Sequence, residues 1–137
     1  PHAYLRARLL DPIGCPIARW RTLRDATSPL PTGAFLTARA WARYGQVIAS
    51  NGCWNSERLI PEDGLRACFS PSVANPRYGL GWWLAFPNMP ADLVYASGSG
   101  GQALYVVPSL ALVVVRFGHS ASFKHETFLR ELLGEGR

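Results

Sequence analysis

Lysine is almost absent from this sequence: of its 14 basic residues only Lys124 is a lysine, and the rest are arginines. Methionine occurs once, and the chain opens at Pro1-His2 as a mature or cut product would. The longest uninterrupted apolar run is close to LALVVV, whereas a membrane-spanning helix needs ~18 apolar residues. We therefore expect no transmembrane segment, and no signal peptide is recognisable at the start.

Cysteine and histidine are scarce, with three of each. The cysteines form no CxxC pair, and together with the histidines they show no zinc-ligand spacing, so no metal site is predicted. An odd cysteine count argues against a disulfide framework, and we interpret the thiols as small buried apolar groups. These residues are Cys15, Cys53, Cys68, His2, His119 and His125.

The composition indicates one globular domain. The chain has 137 residues, of which 48% are hydrophobic and 17% charged, so it is neither disordered nor long enough for several domains. A net charge of +5 raises nucleic acid as a partner, but only Trp20 is interleaved with the basic cluster, and single-strand binding needs aromatics there. We predict a solvated basic surface and no nucleic-acid partner. The cluster is Arg6, Arg8, Arg19, Arg21 and Arg24.

The first half of the sequence predicts helices. Residues 2–10 favour a helix that DPIGCP ends, and residues 27–36 favour a surface loop. Thr37 as N-cap and Gly52 as stop bound an amphipathic core helix. A shorter helix is predicted over PEDGLRACFS, with Pro61 at its first position and acids in its first turn. The apolar face of the core helix comprises Ala38, Trp41, Tyr44, Gly45 and Ile48.

The second half predicts strands and a closing helix. The strand segments are YGLGWWLAF (78–86), LVYAS, QALYVV and ALVVVRF, and Pro108-Ser109-Leu110 joins the last two as an antiparallel pair. SFKHETFLRELLG closes the chain as a helix, with Ser122 as its N-cap candidate and Gly134 as its stop. This order predicts an α+β fold in which helices flank an antiparallel sheet.

Three segments, taken in order, resemble one family. GAFLTARAWARYGQVIASNGCWNSERLIP resembles the helix and turn of serine hydrolases of the β-lactamase and penicillin-binding-protein superfamily, and RYGLGWWL resembles their aromatic strand. YASGSGGQALYVVPSLALVVVRFG resembles the strand that carries their third catalytic motif. The similarity extends over residues 3–133 and is greatest to class C-like esterases, amidases and oligomer hydrolases. It implies the C-terminal portion of the β-lactamase/transpeptidase-like fold, with no metal or organic cofactor.

The resemblance assigns roles around the third motif, which is Lys-Thr-Gly in the family. Ala96-Ser97-Gly98 aligns with it, so the Ser99 backbone N–H would be a catalytic oxyanion donor. Ser97 would offer its hydroxyl to substrate, and Gly98 would allow close approach to the strand. Ala96 in place of lysine favours an esterase or amidase over a β-lactamase.

Two glycines complete the predicted substrate site. By the same resemblance, Gly100 and Gly101 would let the backbone turn away from the substrate. Small residues at a strand entry also occur at bulges and tight bends without any chemistry. The flanking similarity favours the functional interpretation.

The family's nucleophile motif, Ser-x-x-Lys, is absent, because Ala121 stands three residues before the only lysine. Tyr95-Ala96-Ser97 spells the second motif, Tyr-x-Ser, but lies on the strand of the third, so we interpret it as coincidence. A triad of Ser120, His125 and Glu126 is unsuitable, because neighbouring helical residues do not face one another. We interpret His119 and His125 as surface histidines.

We therefore expect residues 1–137 to be a single partial domain, the C-terminal part of a serine hydrolase that cleaves ester or amide bonds through an acyl-serine intermediate. Its partners would be a small-molecule ester or amide substrate and the missing N-terminal portion of the same domain. The chain alone is expected to be inactive. A non-catalytic ligand-binding domain of the same fold is the alternative, and a nucleic-acid-binding module ranks last. Both the bacterial cytoplasm and the periplasm stay open as compartments.

Overall fold

A four-stranded antiparallel sheet with helices on both faces organises the computed structural model, which describes residues 2–30 and 32–134. The remaining residues of the predicted 1–137 domain, including one within the predicted 27–36 loop, lie outside the described residues. In chain order the elements are α1 (His2–Leu5), β1 (Arg19–Trp20), β2 (Ala34–Phe35), α2 (Ala38–Ala49), β3 (Cys53–Trp54), β4 (Glu57–Arg58), α3 (Glu62–Cys68), β5 (Trp83–Leu84), β6 (Val94–Gly98), β7 (Gln102–Val107), β8 (Leu112–Arg116) and α4 (His125–Leu133).

The sheet has the strand order β5-β6-β7-β8, and every neighbouring pair is antiparallel. Its register places Tyr95 opposite Tyr105 and Tyr105 opposite Val114, so these three side chains share one face. Val106 pairs with both Val94 and Val113 on the other face. Because both faces are apolar, the sheet needs a cover on each side.

Each face is covered by one main helix. The face of Tyr95 and Tyr105 packs against α4, whose Leu129 is 1% exposed. The face of Leu104 and Val106 packs against α2 through Ile48, with α3 adding Leu65. Burial of these side chains is the main stabilising term, about 1.5–3 kcal/mol for each large apolar group.

A third cluster joins the N-terminal segment to the back of α2. Leu10, Ile13 and Cys15 are buried there against Ala40 and Val47. The predicted helix over residues 2–10 is confirmed in extent, but its second half, Arg6–Leu10, is π-helical.

The ends of α2 follow the predicted capping chemistry. The Ala40 N–H donates to Thr37 Oγ1 at 3.1 Å, so Thr37 satisfies one of the free donors of the first turn. The last helical residue is Ala49, and the first left-handed residue after it is Asn51, with a φ of +51°, followed by Gly52 with a φ of +84°. The predicted N-cap is confirmed, and the helix ends three residues before the predicted stop at Gly52.

Three local predictions are wrong. The segment 78–86 is a strand only at Trp83–Leu84, because Tyr78 pairs back onto Trp83 and the Gly79 N–H donates to Trp82 O at 2.9 Å, which closes a tight hairpin. The predicted 27–36 loop contains β2, which pairs with β1. The N-cap position of α4 is occupied by Lys124 and not by Ser122. In the first case the glycines outweigh the aromatic strand pattern.

No helix within the described residues is long and apolar enough to span a membrane.

Candidate functional site

The predicted site residues lie together where β6 ends. Ser97 and Gly98 are the last two residues of β6, and Ser99–Gly101 form a 3₁₀ turn into β7. The last pair of the β6–β7 ladder is Gly98 with Gln102, so Ser99 lies beyond it. Ser97, Gly98 and Ser99 are all exposed. Ser99 therefore lies at an exposed strand end, just beyond the ladder.

The outer edge of β6 is only half covered. β5 pairs with β6 through Trp83–Tyr95 and Leu84–Val94 alone. Within the part of the chain that the structure describes, residues 96–98 have no strand partner on the side away from β7. Such an edge can accept main-chain hydrogen bonds from a ligand or from another strand.

The turn after Ser99 needs its glycines. Gly100 and Gly101 have φ values of +76° and +81°, which side-chain-bearing residues rarely adopt. A Cβ on Gly101 would lie 2.9 Å from Phe123 Cδ1. Arg116 donates to Gly101 O at 2.6 Å, and the Ser120 N–H donates to Gly100 O at 3.0 Å. The end of β8 and the segment after it therefore hold the turn in place.

Gly98 is different, because packing within the described chain does not explain it. A Cβ there would meet Gln102 Cβ at 3.6 Å, an ordinary van der Waals distance. An added Cβ would therefore fit at Gly98 without a clash, at the exposed end of the strand. This geometry suits the close approach that was predicted for Gly98.

A histidine from α4 also reaches the end of β6. His125 Nε2 lies 2.9 Å from Ser97 Oγ, and His125 Nδ1 lies 2.6 Å from the Tyr105 hydroxyl. His125 is half-buried. Its interpretation as a surface histidine is wrong, because α4 packs its first turn onto the sheet. His119 is exposed, as predicted.

The surroundings of His125 favour its neutral form. Burial lowers the pKa of His125, and the positive charge of Arg116 lowers it further. Burial also raises the pKa of Tyr105, so its phenol keeps its proton. At neutral pH this cluster therefore consists of three uncharged groups joined by hydrogen bonds.

The alternative triad of Ser120, His125 and Glu126 does not form. Ser120 Oγ lies 3.2 Å from Ser122 Oγ, and the Glu126 carboxylate accepts from Arg130 at 2.7 Å. Sequence reasoning missed the contact of His125 with Ser97 and Tyr105. The signal was its position three and four residues before Phe128 and Leu129, on the helix stripe that faces the sheet.

Other features of the molecule lie elsewhere. Hollows of about 540 and 600 Å³ lie at the Val94–Pro108 end of the sheet and beside the end of α4. Within residues 2–30 and 32–134, no group of three or more His, Cys, Asp or Glu could hold a metal ion. The clustered arginines are exposed, and Arg19 stacks on Phe35 at 4.0 Å. Cys15 is buried and the other two cysteines are half-buried, all as free thiols.

Comparison with known proteins identifies the fold. No family model matches the sequence, and no curated protein matches it. The chain is similar to a solved structure described as "Putative 6-aminohexanoate-dimer hydrolase from Bacillus anthracis", with a TM-score of 0.74 and 23% identity over 95% of this chain and 35% of that one. It is also similar to "Crystal structure of putative beta-lactamase from Bacteroides dorei DSM 17855", with a TM-score of 0.64 and 14% identity over 89% of this chain and 45% of that one.

The chain thus has the α+β fold of β-lactamase-like hydrolases and spans less than half the length of these two structures. The predicted fold class, and the resemblance to the C-terminal part of such a hydrolase, are confirmed at the level of the fold.

Proposed function

We propose that this chain supplies the oxyanion-binding strand of a serine hydrolase that cleaves ester or amide bonds. The nucleophilic serine and its lysine would come from polypeptide outside these 137 residues, because the sequence contains no Ser-x-x-Lys. The substrate would lie along residues 96–98 with its reacting carbonyl oxygen beside the Ser99 N–H.

The proposed chemistry is acyl transfer in two steps. The serine oxygen bonds to the carbonyl carbon while the ester or amide bond breaks, and the leaving alcohol or amine takes the proton that the serine gave up. Water then attacks the acyl-serine, which releases a carboxylic acid and returns a proton to the serine. In both steps negative charge develops on the carbonyl oxygen, and a fixed backbone N–H beside it lowers the barrier.

One observation carries the proposal: the β6–β7 ladder stops at Gly98, so the next amide lies at an exposed strand end in a β-lactamase-like fold. The exposed position of Gly98, where an added Cβ would not clash, and the unpaired edge of residues 96–98 support it. Ala96 stands where the family has lysine, which favours substrates without the carboxylate of a penicillin.

A substitution of one backbone amide tests the role of Ser99. Ser99 is the first residue of a 3₁₀ turn, a position that proline tolerates. Gly98 before it is extended, with a ψ of 171°, which is the conformation that a following proline requires. In the complete hydrolase, Ser99→Pro removes the N–H, and we expect kcat on a p-nitrophenyl ester to fall by about 10²–10³. Ser99→Ala keeps the N–H and should retain activity. Equal activity of the two variants would contradict the proposal.

The source of the nucleophile has its own test. We expect this chain alone to show no serine-dependent turnover of a p-nitrophenyl ester, and we expect turnover when it is expressed with in-frame upstream sequence that carries Ser-x-x-Lys. A covalent adduct on one of the chain's own serines, seen by mass spectrometry, would contradict this division of roles.

The absent Ser-x-x-Lys also supports a second candidate, a ligand-binding domain of the same fold without catalysis. The coding sequence upstream of Pro1 separates the two. An in-frame Ser-x-x-Lys favours the enzyme, and an uninterrupted reading frame without it favours the binding domain.

A further inference from the structure

We propose that Tyr105 and His125 act as positioning residues that hold the Ser97 hydroxyl as a hydrogen-bond donor to an oxygen acceptor, a carbonyl or a carboxylate, of a bound substrate. This inference rests on the proposed function for the identity of the substrate, but the hydrogen-bond direction can be tested without any reaction.

The donor and acceptor roles along these hydrogen bonds are set first by Tyr105, which is 1% exposed. Within the described residues, its hydroxyl has one hydrogen-bond partner, His125 Nδ1 at 2.6 Å. If that nitrogen carried a proton, it would donate to the phenol oxygen and leave the buried phenol proton without an acceptor. An unsatisfied buried donor is costly, so the Tyr105 O–H donates and His125 Nδ1 accepts.

The second step follows from the chemistry of a neutral imidazole, which has one donor nitrogen and one acceptor nitrogen. With Nδ1 as the acceptor, Nε2 carries the proton and donates to Ser97 Oγ at 2.9 Å. The Ser97 oxygen is thereby occupied as an acceptor, and its own proton is free. Since Ser97 is exposed, that proton is available to a ligand beside the end of β6.

The same direction excludes Ser97 as a nucleophile. A serine becomes nucleophilic when a neighbouring base takes its proton, and a protonated Nε2 cannot do so. The Tyr105–His125–Ser97 chain therefore differs from a catalytic triad of similar outline. Its role is to orient a hydroxyl for recognition.

The charged and titratable groups around His125 keep the ring neutral. Tyr95 on β6, Tyr105 on β7 and Arg116 on β8 surround it, with Glu126 next to it on α4. The Arg116 charge opposes protonation, and the Glu126 carboxylate is paired with Arg130 at 2.7 Å. No group in this set supplies a close anion that would stabilise an imidazolium.

Nitrogen NMR of the chain labelled with ¹⁵N-histidine measures the direction. The His125 signals are assigned by their loss in His125→Gln, and two-bond couplings then distinguish the Nε2–H from the Nδ1–H tautomer. At neutral pH we expect the Nε2–H tautomer of a neutral ring. A predominant Nδ1–H tautomer, or an imidazolium, would overturn the proposal.

A matched pair of tyrosine variants tests the part played by Tyr105. Tyr105→Phe removes the donor and should lower the ratio of Nε2–H to Nδ1–H tautomers by about tenfold, the effect of one buried hydrogen bond. Tyr95→Phe is the control, because the Tyr95 ring lies 5.2 Å from the His125 ring without a hydrogen bond to it. Equal changes in the two variants would overturn the proposal. If the circular dichroism spectrum of Tyr105→Phe shows that this variant is unfolded, the tautomer measured in the unsubstituted chain still decides whether the proposed hydrogen-bond direction is right.

A titration tests the acceptor class on the same chain. Acetate provides a carboxylate acceptor, acetone provides a carbonyl acceptor, and methylammonium provides a cation with neither. We expect acetate or acetone, and not methylammonium, to shift the Ser97 and Gly98 amide signals, and we expect Ser97→Ala to remove that shift. A response that is equal in Ser97→Ala, or no response to either acceptor, would overturn the donor role. Neither result depends on hydrolysis, so a failure here is distinguishable from a failure of the proposed function.

Discussion

The glycines at the end of β6 are of two kinds: two are required by the backbone conformation and packing of the chain, and one is not. Gly100 and Gly101 are needed by the chain itself, because of their positive φ values and the contact of Gly101 with Phe123. Gly98 meets nothing closer than an ordinary contact with Gln102. A residue that internal packing does not explain is a sound place to look for a ligand, since its small size leaves space on the exposed side.

His125 makes stability depend on pH. Its pKa is lowered in the folded chain by burial and by Arg116. Below the ordinary value of ~6.5, the unfolded chain therefore binds more protons than the folded chain, and stability falls as the pH falls through that range. We expect the free energy of unfolding by urea to decrease between neutral pH and pH ~5, with a smaller decrease in His125→Gln.

Asp25 titrates in a lower pH range than His125, so the contributions of the two residues to the pH dependence of stability can be separated. Hydrogen bonds from Thr27 lower the pKa of the Asp25 carboxyl, so its contribution is lost only below the ordinary pKa of ~4. Asp25→Asn should leave the change near pH 6 intact. An unchanged pH dependence in His125→Gln would show that His125 does not cause it.

Sequence reasoning singled out Ser97 to Gly101 but missed His125, which is hydrogen-bonded to Ser97, and Tyr105, which is hydrogen-bonded to His125. The small residues form one continuous stretch whose strand position is readable, whereas His125 lies 28 positions from Ser97. The contact exists because α4 folds back over the sheet, which no local pattern specifies. The available clue was the position of His125 three and four residues before Phe128 and Leu129, on the helix stripe that faces the sheet.

At the level of elements, α2 was predicted as a helix with one apolar face, and it is buried on two. Ile48 packs on the sheet, while Ala40 and Val47 pack on the N-terminal segment. Ala38, assigned to the apolar face, is exposed. The apolar periodicity of a helix identifies only its wider buried face. The second packing surface, against the N-terminal segment, buries further residues such as Ala40, whose small side chain suits either a buried or an exposed position.

Gly45 lets α2 approach the sheet closely. A Cβ at this position would lie 2.5 Å from Val113 Cγ1 and 2.9 Å from Leu104 Cδ1. Alanine would gain up to ~1 kcal/mol of helix propensity, but overpacking a tight core costs ~1–3 kcal/mol. We expect Gly45→Ala to destabilise the chain by about 1 kcal/mol and to lower Tm by roughly 4 °C in a calorimetric scan.

Gly64 in α3 is the matched control, because a Cβ there meets no described atom within 4 Å. Gly64→Ala should therefore raise the free energy of unfolding by up to ~1 kcal/mol. A Tm for Gly45→Ala as high as that of Gly64→Ala would mean that α2 is not held against β8 as closely as the contacts indicate.

Elements with a strong hydrophobic pattern were predicted from the sequence, and elements that depend on which backbone segments pair were not. The β7 segment QALYVV is a strand over Gln102–Val107, as predicted, because its apolar side chains fill both faces of the sheet. The 78–86 segment has a comparable aromatic content, yet its backbone folds back on itself at Gly81 with a φ of +84°. Glycine placement decided the structure there, and the aromatic count did not.

The whole molecule is a layered α/β/α unit that spans 35% and 45% of the two similar structures. Both apolar faces of its sheet are covered by its own helices, and Trp82 is only 7% exposed. The layers can therefore form within this chain. A proposed catalytic partner would meet it at the strand edges, where backbone groups are free.

One such edge is β8. Within the described residues it pairs with β7 alone, and its side chains from Leu112 to Arg116 are half-buried. An edge rich in valine, without a charge in its centre, is a template for pairing with another chain. The same edge in a complete hydrolase would accept a strand from the rest of the domain, under the proposed function.

The β8 edge leads us to expect self-association of the isolated chain. Sedimentation velocity should show a weight-average mass that rises with concentration, and Val114→Lys should shift the distribution toward monomer, because a charge in the middle of an edge strand opposes pairing while the lysine stem still covers apolar surface. Leu80→Lys is the control: Leu80 is 66% exposed and lies outside the sheet, so its replacement should leave self-association unchanged. Thermal unfolding of both variants verifies that they are folded. A monomeric unsubstituted chain at every concentration, or equal loss of self-association in the two variants, would rule out β8 as the contact.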